Sequence, residues 1–145
     1  MENKNDTSYQ LMHAFIRLHR QKMHAGPIAG LNRSEMAVLR SISKLDKENG
    51  VKVSELSTYL KVSAPSITQT VNGLVKQDLV KRCPDSSDRR AIRLIITFSG
   101  KEKLSAAFEE FRLHFYGLCQ YLGQSKSNQL IDLLNEVYNF FEGEN

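Results

Sequence analysis

The 145-residue chain is sparing with cysteine, holding only Cys83 and Cys119, far apart in sequence. An intracellular chain keeps such thiols reduced, so no disulfide framework is expected. CxxC, HExxH and Cys/His clusters at ligand spacing are all missing, which removes the common zinc sites. Walker loops, GxSxG and GxGxxG are missing too, and no catalytic constellation replaces them. The expectation is therefore no enzyme, no metal and no cofactor. No apolar run approaches the length of a membrane span, and the polar opening MENKNDTSYQ does not read as a secretory leader. Asn5 and Asn32 open Asn-x-Ser/Thr patterns that carry no weight without secretion. Three prolines and eight glycines are too few for a low-complexity chain. A cytoplasmic protein of one compact domain is expected, long enough to bury a respectable core.

What is present is unevenly charged. Residues 1–50 carry eight basic and five acidic groups, residues 51–101 nine and four, and residues 102–145 three and seven. The middle is basic and the tail acidic, although the total is only +4. That asymmetry suits a central nucleic-acid-binding unit flanked by helices with another task.

Helical periodicity opens the chain. Leu11, Met12, Phe15, Ile16, Leu18 and Met23 make a broad apolar face over residues 8–23, which His24-Ala25-Gly26-Pro27 interrupts. Asn32 and Glu35 have capping-box spacing before a helix with Met36, Val38, Leu39, Ile42 and Leu45, ended by Asn49-Gly50. Two short helices follow. Ser54 is placed to cap the first, which buries Leu56 and Leu60. Ser63 is placed to cap the second, with Pro65 in its first turn. Ile67, Val71, Leu74 and Val75 gather on one face of that second helix. Its other face holds Pro65, Gln69, Asn72, Gly73 and Lys76, flanked by Ser66 and Thr68. A tight turn between two such helices reads as a helix-turn-helix.

Leu79 to Arg82 form a strand candidate, and PDSS begins a turn. Ala91 to Phe98 form a second strand, with Ile92, Leu94 and Ile96 alternating to one side. The order helix, helix, hairpin is that of a winged helix-turn-helix. Thr97 is placed to cap a long helix whose Leu104, Phe108, Phe111, Phe115, Leu118 and Leu122 recur at steps of four and three. After Gly123, Ser125 is placed to cap a last helix carrying Leu130, Leu134, Val137 and Phe141. The fold class is thus mainly α with a small β-hairpin wing.

These segments together resemble the MarR family of bacterial transcription regulators. LNRSEMAVLRSI resembles the family's second helix. VSELSTYLKVSAPSITQTVNGLVKQDLVKR resembles its helix-turn-helix running into the wing. PDSSDRRAIRLIITFSGKE resembles its wing signature, through Asp88, Arg90, Ala91, Ile96, Thr97 and Gly100. The resemblance implies a winged helix-turn-helix over 31–100, with 1–30 and 101–145 as dimerisation helices. It implies a homodimer on a pseudo-palindromic double-stranded DNA operator, acting as a repressor under a small-molecule effector, with no membrane role.

The resemblance also implies site residues. Arg90 would enter the minor groove, where a fixed positive charge meets enhanced negative potential. Asp88 would pair with it and set its direction, and Arg89 would touch phosphate or stabilise the hairpin. Pro65, Ser66, Thr68, Gln69, Asn72 and Lys76 would present the recognition helix to the major groove, where glutamine suits adenine. Many relatives carry arginine in place of Gln69. Lys81 and Arg82 would meet phosphates. Phe15, His19, Phe108 and Phe111 would line an effector pocket, although an aromatic stripe at helical spacing reads equally as core or dimer interface. Gly73 would allow close approach to DNA, or is simply tolerated. Cys83, beside Lys81 and Arg82, reads as an ordinary structural thiol or an oxidisable one. A winged-helix module that binds protein instead of DNA is the competing reading.

Overall fold

The computed structural model describes residues 6–21, 26–88 and 90–143. The break expected at His24-Ala25 lies outside them. Among these residues, six helices and three short strands follow in the order α1 (Thr7–Arg20), α2 (Arg33–Leu45), β1 (Val51–Lys52), α3 (Val53–Leu60), α4 (Ala64–Lys76), β2 (Val80–Pro84), β3 (Ile92–Ile96), α5 (Phe98–Leu122) and α6 (Gln124–Gly143).

Local chemistry sets most of the boundaries. Asn32 Oδ1 accepts from Glu35 N at 2.9 Å and Glu35 Oε2 from Asn32 N at 2.9 Å, the reciprocal box that starts α2. That helix ends at Leu45, short of Asn49-Gly50, and Asp46 Oδ1 takes the Gly50 N–H instead. Helix α3 begins one residue before Ser54: Glu55 Oε2 accepts from Lys52 N at 2.7 Å, so the carboxylate, not a serine, closes its first turn. Ser63 does stand at the start of α4, but its hydroxyl shares a 2.9 Å hydrogen bond with the Ser66 hydroxyl and leaves the backbone uncapped. Thr97 caps α5 as expected, accepting from Gly100 N at 2.9 Å. Helix α6 starts at Gln124, directly after Gly123, so Ser125 lies inside its first turn.

The sheet has one strand more than the hairpin expected. Its order is β1-β3-β2, antiparallel throughout, with Val51 opposite Leu94 and Val80 opposite Ile96. A two-residue strand carries too short a pattern to be read from sequence; pairing with the distant β3 defines it. Leu94 and Ile96 are buried, but Ile92 is 52% exposed. The alternation fails there because β1 ends opposite Arg93, so beyond it the hairpin projects past the core.

The core gathers Leu39, Ile42, Leu56, Val71, Leu74 and Leu94, and reaches into α5 only as far as Leu104 and Ala107. Gly100 makes the junction possible: a Cβ there would stand 2.1 Å from the Leu79 carbonyl oxygen, a distance no side chain tolerates. Beyond Ala107 the expected stripe leaves the core. Phe108, Phe111, Phe115 and Leu118 are exposed, and α1 buries no residue at all.

Candidate nucleic-acid interface

The exposed edge of α4 is the first component. Leu56 and Ile67 pin α3 and α4 to the core, and Lys61, at φ 54°, turns the chain between them. Ser57 locks that turn, its Oγ donating to the Val62 carbonyl at 2.6 Å. Pro65, Ser66, Thr68, Gln69, Asn72 and Lys76 are consequently all exposed. Gly73 departs from this face. It is half-buried, and a Cβ there would lie 3.6 Å from Glu35 Oε1 on α2, an ordinary contact. Nothing within the chain itself requires glycine here. Alanine is expected to fit and to raise stability by roughly 0.5–1 kcal/mol, read as a higher urea midpoint with duplex affinity unchanged.

The second component is the wing, and its anchor is Asp85, which the sequence pattern places only in a turn. Pro84 pairs with Ile92, so β2 runs two residues beyond the expected end at Arg82, while β3 is shorter than the expected Ala91 to Phe98. Asp85 then closes the loop, its N–H donating to the Ala91 carbonyl at 2.9 Å. Its side chain is buried. Oδ1 accepts from Ser87 N at 2.8 Å, Ser87 Oγ at 2.6 Å and Asp88 N at 3.1 Å. Oδ2 pairs with Arg93 Nε and lies 3.7 Å from Lys52 Nζ. Arg93 also donates to the Gly50 carbonyl at 2.9 Å, tying the wing to the strand before α3. The Ser87 hydroxyl and then the Arg93 guanidinium hold the Asp85 carboxyl well below the usual carboxylate range. An Asp two positions before a serine is a visible turn signal, but Lys52 and Arg93 are too distant in sequence to betray a buried pair.

Arg90 stands exposed at the wing tip. Asp88 does not pair with its guanidinium. Asp88 Oδ1 accepts from the Arg90 backbone N–H at 3.0 Å, and the Asp88 carbonyl accepts from Ala91 N at 2.9 Å. The carboxylate sets the backbone beneath Arg90 and leaves the guanidinium unpaired among the described residues. Arg89 lies outside the described residues. Lys81 and Arg82 are exposed on β2, but Arg82 is not independent: its Nη2 donates to Asn72 Oδ1 on α4 at 2.5 Å.

A cleft of about 580 Å³ opens between α1, the strap at Ile28 and the start of α2; Phe15, Leu18, His19, Leu31 and Met36 line it. Of the four residues expected in a pocket, it contains Phe15 and His19. Phe108 and Phe111 belong elsewhere on α5: the Arg40 guanidinium carbon lies 5.5 Å from the Phe108 ring centre, and the tilted rings of Phe111 and Phe115 meet with centres 5.0 Å apart. Among the described residues no cluster of His, Cys, Asp and Glu could hold a metal, and no helix is long and apolar enough to cross a membrane.

Known proteins resemble this chain in sequence and fold. A model of the MarR family matches residues 29–91, which run from the strap through the wing. YpoP of Bacillus subtilis, an HTH-type transcriptional regulator, is 30% identical over 107 residues, 74% of each chain. BadR of Rhodopseudomonas palustris, a transcriptional activatory protein, is 27% identical over 135 residues, 93% of this chain and 76% of its own. The repressor CouR, solved on a 23-mer DNA duplex, has the same fold at a TM-score of 0.68, with 23% identity and 92% of both chains covered. These relatives are regulators, not enzymes. The chain belongs to the MarR family and is a DNA-binding transcription regulator.

Proposed function

We propose that the protein works as a homodimer on a pseudo-palindromic operator and represses transcription until a small molecule releases it. The observation that carries the dimer is the apolar surface left bare on α1, α5 and α6, where Tyr121 is 87% and Leu134 51% exposed. A single chain in water rarely leaves so many large apolar side chains exposed on its helices. A second copy, meeting it with the same helices, covers both faces at once. The division of labour is then a winged unit over 31–100 and dimerisation helices over 1–30 and 101–145.

In the dimer two α4 helices enter successive major grooves, about 34 Å apart. Ser66, Thr68 and Gln69 meet base edges or nearby phosphates, Pro65 and Lys76 flank them, and Arg90 reaches the minor groove. Occupancy alone suffices to repress; CouR is a repressor, whereas BadR activates, so a promoter fusion decides the sign here. The cleft containing Phe15 and His19 is the effector site under this reading. It lies where α1, a dimerisation helix, meets the winged unit. An occupant there acts by binding one helix separation better than the other.

Binding to duplex DNA is expected to fall steeply with salt, as phosphate contacts require. Arg90→Ala should weaken operator binding roughly ten- to hundredfold by fluorescence anisotropy, with the far-UV spectrum unchanged. Unchanged affinity in that variant would remove the wing from the interface.

A further inference from the structure

We propose that Asn72 and Arg82 form one unit that presents mainly donors and holds a backbone phosphate, so that Asn72 is a positioning residue and not a reader of bases. The inference rests on α4 and the wing facing DNA as described above. The two side chains come from different elements, α4 and β2, and both are exposed. Arg82 Nη2 donates to Asn72 Oδ1 at 2.5 Å.

A guanidinium has N–H donors and no acceptor, so the amide must turn its oxygen, not its nitrogen, towards Arg82. What remains to meet a ligand is the Asn72 NH2 group and the other N–H groups of Arg82. Adenine asks an asparagine for both an acceptor and a donor. Here the acceptor is already engaged by a cation, in a charge-assisted bond stronger than one to a base amine. A phosphate asks only for donors and carries the opposite charge, so it binds without breaking the pair. The setting agrees: Lys76 lies one helical turn beyond Asn72, Lys81 adjoins Arg82, and both are exposed. Asn72 thus removes rotational freedom from Arg82 and fixes the guanidinium where the recognition helix meets the foot of the wing.

The test compares Asn72→Ala, Arg82→Ala and the double variant in the full chain. Each binds a mixed-sequence duplex and an operator selected from random sequence, over a range of salt. Arg82→Ala is expected to reduce the slope of log affinity against log salt by about one on both DNAs. Asn72→Ala, which removes no charge, is expected to lose roughly threefold or more in affinity and part of the same slope, equally across sequences. The double variant should lose clearly less than the sum of the two single losses. Additive losses, an unchanged slope in Arg82→Ala, or relaxed preference at a single operator base pair in Asn72→Ala would each overturn the proposal. Wild-type protein showing no salt-dependent duplex binding would instead sink the DNA-facing orientation on which it rests.

Discussion

Leu134→Glu is expected to turn the protein into a monomer and to lower operator affinity by roughly two to four orders of magnitude. The side chain is already half-exposed in the single chain, so a carboxylate there costs the fold little. In a dimer it would be desolvated without a partner, which is expensive. The loss on DNA is larger than any single contact explains. One recognition helix bound to its half-site raises the effective concentration of the second, and a monomer forfeits that gain entirely. Sedimentation at micromolar concentration reads the assembly, and anisotropy reads the affinity. A variant that still sediments as a dimer would move the interface away from α6.

The second large effect is expected at Asp85. Asp85→Ala removes the acceptor for the Ser87 and Asp88 N–H groups and strips Arg93 and Lys52 of their carboxylate. Arg93 remains partly buried without a counter-charge, and the loop that displays Arg90 loses its internal bonds. Operator affinity should fall at least as far as with Arg90→Ala, roughly ten- to hundredfold, and Tm should fall as well, which Arg90→Ala does not cause. Asp85→Asn retains an oxygen for the loop donors and loses only the charge, so it should lie between wild type and alanine.

The same carboxylate sets an acid limit. Its folded-state pKa is depressed below the unfolded value of about 3.9. Its stabilisation is therefore complete above that value and disappears as pH falls through the folded pKa. Wild-type stability should drop more steeply below about pH 4 than that of Asp85→Asn, while between pH 5 and 8 the contribution of this group is full and does not vary with pH. Circular dichroism across an acid titration of both proteins measures the difference.

The helices were legible because their causes are local. Asn32 and Glu35 cap α2 within four residues, Thr97 and Gly100 start α5, and the apolar spacing of Ile67, Val71 and Leu74 appears in the burial of α4. The exposed face of that helix, and Arg90 at the end of a hairpin, follow from the same short-range patterns. What was illegible depends on residues brought together from afar. Strand β1 exists because Val51 meets Leu94, and Ile92 is exposed because β1 stops opposite Arg93. A Cβ on Gly73 would face Glu35 of α2, a residue far away in sequence.

By itself, the sequence determined a winged helix-turn-helix with a basic middle, because period, capping and turn chemistry each act over a few residues. Only the tertiary structure decided which polar residues are tied into the wing's architecture and which are left exposed. Asp85 is buried by Lys52 and Arg93, Asp88 holds backbone and not guanidinium, and Asn72 is committed to Arg82. A charged side chain takes its role from its nearest opposite charge or acceptor, and folding, not sequence order, chooses that neighbour.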